Sequence, residues 1–213
     1  MFKAAILGAP ASGKGTISSR IVKNFDIIHV SSGDMLRNQC KKNTEIGKEA
    51  NKYIEKGKLV PDEIMMDLVI SELDSLNNKN WLLDGFPRTK LQAEKLFKKY
   101  PLNLAINLVV PFNIIIDRVK GRWIHVPSGR IYNVDFEAPK VPGKDDVTGE
   151  PLEQRPDDKP EAMRERLDNY SKQIEPVLQF YKQRKILREF HGETSNEIWP
   201  KVKEELAKYL KPN

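Results

Sequence analysis

The segment Gly8-Ala9-Pro10-Ala11-Ser12-Gly13-Lys14-Gly15-Thr16 follows directly on the apolar run Phe2-Lys3-Ala4-Ala5-Ile6-Leu7. An apolar run, then Gly-x-x-x-x-Gly-Lys, then a helix-like stretch is a way to build a cradle for a triphosphate. Backbone N–H groups point inward, the helix N-terminus adds partial positive charge, and Lys14 adds a full one. The ordinary alternative is a solvated turn between a strand and a helix. A second polar turn, Asp84-Gly85-Phe86-Pro87-Arg88, ends the apolar run Trp81-Leu82-Leu83, and a third, Ser31-Ser32-Gly33-Asp34, ends Ile27–Val30. The one cysteine, Cys40, reads as an inert half-buried residue and rules out an intrachain disulfide or a Cys-built metal site.

Periodicity and capping residues outline the strands and helices around these turns. The first strand falls in Met1–Leu7 and feeds a helix over Lys14–Asn24. Ser31 to Asp34 supply N-cap chemistry for a helix reaching about Lys41. Further helices are read over Thr44–Lys56, with Gly57 as the stop, and from Pro61-Asp62, carrying Ile64, Leu68 and Leu73 inward. Leu104–Val110 is nearly continuous in apolar residues, as suits a strand covered on both faces. A long amphipathic helix starts at Pro160 with Met163, Leu167, Tyr170, Ile174, Leu178 and Tyr181 on one stripe. A last strand near Ile186–Phe190 and a helix over Asn196–Tyr209 close the chain. Strands alternating with helices imply an α/β fold with a parallel sheet, whose ligands sit at the carboxyl ends of the strands. The three polar turns are therefore expected at one crevice. Arg122 to Lys159 departs from the pattern. It is rich in Pro and Gly with short alternating pieces such as Ile131-Tyr132-Asn133-Val134, and reads as a small β-type insert.

The chain has 213 residues, 39% hydrophobic and 31% charged, which fits one compact α/β domain with inserted lobes. No stretch approaches the roughly 18 apolar residues of a membrane span. The net charge of +6 suits anionic partners, but the lysines are scattered over helical faces. The first strand begins within two residues of Met1, which leaves no room for a signal peptide and points to an intracellular compartment.

In the phosphate turn the residue after Lys14 is Gly15, then Thr16, where nucleotide hydrolases carry a magnesium-binding Ser or Thr next to the lysine. Gly-Lys-Gly-Thr, taken with Ser32-Gly33-Asp34, Asp84-Gly85-Phe86-Pro87-Arg88-Thr89 and Gln92, resembles the adenylate kinase family from Phe2 to about Tyr209. The resemblance implies a P-loop three-layer fold with a central parallel sheet. Its core would comprise residues 1–30, 61–121 and 160–213, with a helical AMP-binding insert at 31–60 and a lid at 122–159. It implies reversible transfer of the terminal phosphoryl of GTP or ATP to AMP. Both reactants are polyanions, and a phosphate monoester with second pKa near 6 needs no general base, so the site must gather positive charge and align the two.

By the same resemblance, Lys14, Arg88, Arg122, Arg155 and Arg166 are the catalytic cations. Gly8, Ala11, Ser12, Gly13, Lys14, Gly15, Thr16, Arg118, Arg122, Ile131, Tyr132 and Ser195 hold the triphosphate and its base. Ser32, Arg37, Lys58, Leu59, Val60, Gly85, Phe86, Pro87, Arg88, Gln92, Arg155 and Arg166 hold AMP, with Gln92 pairing to adenine. Asp84 orients the water shell of Mg2+ that accompanies the triphosphate, and no protein group ligates the metal directly. Ala11 replaces the commoner Gly of the turn, which a negative φ would accommodate.

The insert resembles the long form of the family's lid. At the positions where some members hold zinc, this chain carries His125, Ser128, Asp145 and Thr148. That set lacks any thiolate, so a hydrogen-bonded network and no structural zinc are expected. Asp157 and Asp158 are expected to tether the closed lid. Arg122-Trp123-Ile124-His125, Asp157-Asp158-Lys159-Pro160-Glu161 and Asn196-Glu197-Ile198-Trp199-Pro200 resemble the mitochondrial-matrix GTP:AMP branch, with a cytoplasmic location as the alternative. Small nucleotides, no nucleic acid, no membrane insertion and a monomer follow by resemblance. The rival readings are a catalytically weak P-loop regulatory protein, which Gly15 disfavours, and a basic RNA-binding module, for which no aromatic stacking platform is evident.

Overall fold

A computed structural model of the chain describes residues 1–54, 58–134, 138–154 and 160–213. Five parallel strands form the central sheet in the order β2-β3-β1-β4-β7: β1 is Lys3–Gly8, β2 Ile28–Ser31, β3 Trp81–Asp84, β4 Leu104–Val109 and β7 Leu187–His191. Ala4 and Ile6 of β1 belong to one apolar cluster, Ala5 and Leu7 to the other. Leu82 and Leu83 of β3, and Leu104 and Ala105 of β4, divide in the same way. Alternation along a strand thus fills two cores, one on each face, which is why these strands read as unbroken apolar runs.

On one face pack α1 (Lys14–Asn24) and α8 (Ser195–Leu206), contributing Ile17, Ile21, Val202 and Leu206. The other face takes α4 (Asp62–Ser75) and α5 (Lys90–Lys99). The long helix α7 (Pro160–Gln183) serves both, with Met163 and Leu167 in the first core and Val177 and Tyr181 in the second. Two shorter helices, α2 (Ser32–Lys41) and α3 (Glu45–Ile54), pack on each other beside the sheet. Their approach is close enough that a Cβ on Gly47 would lie 2.2 Å from the Gln39 carbonyl oxygen.

Helix starts follow capping chemistry. Ser31 Oγ accepts from the Asp34 N–H, Thr89 Oγ1 from Gln92, and Thr194 Oγ1 from Glu197. Two details differ from the sequence reading. α4 fully buries Met65, Val69 and Leu73, while Ile64 and Leu68 are only half-buried at the edge of the same core. Its sequence is apolar on several sides, so periodicity does not select one stripe. Helices α5 and α6 (Phe112–Lys120) supply the crossovers after β3 and β4 and are not named in that reading. Gly57, read as a helix stop, lies outside the described residues. The insert contains an antiparallel hairpin of β5 (Arg122–Ile124) and β6 (Ile131–Asn133), with bridges from Ile124 to Glu153 and from Lys144 to Pro151. No described helix is long and apolar enough to cross a membrane.

Candidate active site

The carboxyl ends of β1, β2 and β3 bring the three polar turns to one edge of the sheet. At the end of β1, a Cβ on Gly8 (φ 148°) would meet Ser12 Oγ at 2.7 Å and the Leu108 carbonyl at 3.0 Å, so only glycine fits. The Ser12 N–H donates to the Ala9 carbonyl (3.1 Å), closing a tight turn with Pro10 and Ala11 at its centre. Ala11 has φ 60°, not the negative value its tolerance called for. A turn with Pro second and positive φ third is of type II, where glycine is the ordinary occupant, and alanine in the left-handed region costs roughly 1 kcal/mol. Gly13, at φ 90°, caps α1, and Gly15 and Thr16 lie in its first turn. Ser12 is 1% exposed, and its hydroxyl has no hydrogen-bond partner among the described residues, a buried donor left open within the turn.

Lys14 Nζ donates to the carbonyls of Gly8 and Ala9, each at 2.8 Å. Burial pushes its pKa down to about 8; the Asp84 carboxylate pulls the other way, and Arg88, Arg166 and Arg122 push it down further. Four charged groups from three separate stretches of the sequence thus act electrostatically on one ammonium. Arg122 is 8% exposed, a degree of burial rare for arginine. Arg155, Asp157 and Asp158 lie outside the described residues. Asp84, at the end of β3, is within 3.5 Å of Ser18 Oγ and 3.1 Å of His29 Nε2, and its backbone oxygen accepts from Ser32 Oγ (3.0 Å).

Beside Asp84 opens a small cleft of about 70 Å³. Lys58, Leu59, Val60, Gly85, Phe86, Arg88 and Gln92 line it, joined by Leu36 and Met65. Pro87 is buried behind a cis Phe86-Pro87 bond. Arg88 Nε donates to the Gly85 carbonyl (2.7 Å). Arg37 pairs with Asp34 at the start of α2 and lies against Gly33. Gln92, 2% exposed, is held at both ends of its amide: Oε1 accepts from the Arg88 N–H (2.7 Å), and Nε2 donates to Asp62 Oδ1 (2.7 Å).

On the other side of the phosphate turn, a Cβ on Gly13 would lie 2.7 Å from Ser195 Oγ and 3.7 Å from Arg118. Arg118 is 8% exposed and donates to the Glu193 carbonyl. Ile131 closes on the turn from the lid, 3.2 Å from a Cβ on Gly15. Tyr132 is turned inward, donating to Asp145 Oδ1 (2.8 Å) and accepting from the Asp146 N–H (2.9 Å). Its hydroxyl is therefore engaged within the insert.

His125, Ser128, Asp145 and Thr148 form the expected polar network. His125 Nδ1 lies 2.7 Å from Ser128 Oγ, and Thr148 Oγ1 donates to Asp145 Oδ2 (3.0 Å). Two further residues complete it: the Arg130 fork on Asp145 (2.7 and 2.6 Å), and Glu150 on His125 Nε2 (2.6 Å). Arg130 above all holds the Asp145 carboxyl well below the usual carboxylate range. Among the described residues, no group of three or more His, Cys, Asp or Glu is placed to hold a metal ion. The turn of the β5–β6 hairpin approaches the start of α2, a Cβ on Gly129 standing 3.8 Å from the Asp34 carboxylate.

A family model described as adenylate kinase matches residues 6–186. The chain belongs to the adenylate kinase family. It is thus a nucleoside monophosphate kinase, and the converging cations are read within that family. Among its relatives is "GTP:AMP phosphotransferase, mitochondrial" of Drosophila melanogaster, 51% identical over 200 residues, covering 94% of this chain and 93% of the relative. The protein of the same name from Saccharomyces cerevisiae is 45% identical over 207 residues, covering 92% and 88%. Sequence reasoning missed His29, Asp62, Glu193 and Arg130, all of which hold a site or lid residue rather than standing in a recognisable motif. Only Asp62 left a signal, as the residue that opens α4.

Proposed function

We propose that the protein transfers the terminal phosphoryl of GTP, and less readily ATP, to AMP within the mitochondrial matrix. The carrying observation is the half-buried Lys14, held on the Gly8 and Ala9 carbonyls of the phosphate turn, whose charge is felt by Asp84, Arg88, Arg166 and Arg122. The donor's phosphates lie in the turn from Gly8 to Thr16, where N–H groups, the Ser12 hydroxyl and Lys14 receive them. Arg118, Ile131, Tyr132 and Ser195 take its ribose and base. AMP enters the neighbouring cleft, with Arg37 and Arg88 on its phosphate, Leu59, Val60 and Phe86 against its base, and Gln92 at the base edge. Ser32, its hydroxyl engaged by the Asp84 carbonyl, serves as wall rather than ligand.

With both nucleotides aligned, Arg88, Arg122 and Arg166, joined by Arg155, neutralise the charge that builds as the phosphoryl passes between them. Lys14 has two of its three N–H groups on loop carbonyls and follows the migrating charge with small adjustments. Asp84, with its hydroxyl neighbour Ser18, is an oxygen-donor environment that fits hydrated Mg2+, a hard cation that keeps its waters. Mg2+ on the donor's phosphates supplies further neutralisation. The lid excludes water, which limits wasteful hydrolysis of the donor. Residues 1–30, 61–121 and 160–213 act as the core, 31–60 as the AMP insert and 122–159 as the lid of a monomer. The preference for GTP and the mitochondrial setting are supported by the names of the relatives.

The test is ADP formation from AMP and Mg2+ with GTP, ATP or ITP side by side. The expected order of kcat/KM puts GTP first by about tenfold or more. Binding of AMP and GTP with no phosphoryl transfer would overturn the assignment of activity, and equal use of all three donors would overturn the guanine preference.

A further inference from the structure

We infer that Asp62 is a positioning residue that fixes which way the Gln92 amide faces, and thereby sets the selection of adenine over a 6-oxopurine in the monophosphate. This rests on the proposed reading that Gln92 contacts the base of AMP. Asp62 opens α4, and its two carboxylate oxygens both point at the start of α5. Oδ1 accepts from Gln92 Nε2 (2.7 Å) and Oδ2 accepts from Thr89 Oγ1 (2.8 Å). Thr89 in turn caps α5 by accepting from the Gln92 N–H (3.2 Å). Two helices on one face of the sheet are thus tied together at the residue that lines the cleft.

The chemistry of the partners makes this orientation one-way. A carboxylate only accepts, so it must face the NH2 end of the amide; the Arg88 N–H only donates, so it must face the oxygen. Reversing the amide would set NH2 against N–H and oxygen against carboxylate, two repulsive contacts at a residue only 2% exposed. Each end of the amide spends one of its two hydrogen-bonding positions on this support. What remains is one N–H and one lone pair, in a fixed order.

That order matters because purine edges come in mirror-image patterns. Adenine presents an acceptor at N1 and a donor at N6. Hypoxanthine and guanine present a donor at N1 and an acceptor at O6. An amide able to turn over would pair with either; one that is locked rejects the wrong edge by leaving buried polar groups unpaired. Arg88 and Asp62 lock the same state, but only the carboxylate adds charge-assisted strength.

The experiment compares kcat/KM for AMP with that for IMP in the full chain. Asp62→Asn has the same shape but offers either an oxygen or an N–H to Gln92. It is expected to lower the AMP-to-IMP ratio about tenfold, mainly through KM for AMP, with KM for the donor held within about twofold. Asp62→Glu, still an acceptor only, is expected to keep most of the ratio. A ratio unchanged in Asp62→Asn overturns the inference, as does a fall matched by an equal rise in donor KM, which signals general damage. Gln92→Ala is measured in parallel. If its ratio equals that of the parent enzyme, base reading by Gln92 itself is overturned. If Gln92→Ala loses selectivity and Asp62→Asn does not, the positioning role alone is overturned.

Discussion

Lys14 gives the site its pH behaviour. Loss of solvent around its ammonium, with the charges of Arg88, Arg166 and Arg122 adding to the effect, pushes its pKa down to about 8 from the ordinary 10.5. Between those values the unfolded chain binds more protons than the folded one. The stability penalty of burying the charge is therefore fully present below about pH 8 and is relieved as pH rises towards 10.5. Activity should show the opposite trend. In the free enzyme, kcat/KM for the donor is expected to fall above about pH 8 as Lys14 loses its proton. The profile of kcat should fall at higher pH, because bound polyphosphate raises the lysine's pKa. A kcat/KM profile flat to pH 9.5 or so would contradict this role for Lys14. The type II turn at Pro10-Ala11 was half-legible in sequence, since proline marks its second position. The alanine at the third gave no warning, because a positive φ is imposed there by the Ser12-to-Ala9 bond and not by the residue's own preference.

At the level of elements, the approach of α3 to α2 bears directly on the AMP side of the site. Adding a methyl at Gly47 would push against the backbone of Gln39 and Cys40, which cannot swing aside as a side chain can. Gly47→Ala is expected to destabilise the protein by about 1–3 kcal/mol and to raise KM for AMP more than KM for the donor. Denaturant unfolding and steady-state kinetics would check both; an unaltered KM for AMP would show that the helix pair does not shape the cleft. The strands and most helices were legible because alternation and capping are local signals. Ser31, the end of β2, accepts from the Asp34 N–H where the sequence suggested a cap. The burial of α4 was not legible, since an apolar helix between two neighbours shows no single stripe. The supports supplied by His29 and Arg130 were invisible for a different reason, and Asp62 showed only as the opening of α4. Their partners lie between 15 and 55 residues away, and only the folded sheet and lid bring them together.

Across the whole molecule, the parallel sheet delivers three turns to one edge while the lid hairpin descends on them from above, its Ile131 and Gly129 reaching the phosphate turn and α2. Lys14 lies between the proposed donor side, marked by Arg118 and Ser195, and the cleft lined by Arg88 and Gln92. The motifs and the family resemblance named the cations and called for their gathering at one crevice, while the contacts that hold them, such as Arg118 on the Glu193 carbonyl, belong to the fold. The central claim is that the protein holds two nucleotides end to end across Lys14. It is tested most directly by calorimetric titration with a mimic in which guanosine and adenosine are joined through one continuous phosphate chain. Binding at least about a hundredfold tighter than GTP or AMP alone is expected, because one molecule then fills both sides and the span between them. Binding no tighter than a single nucleotide would contradict it.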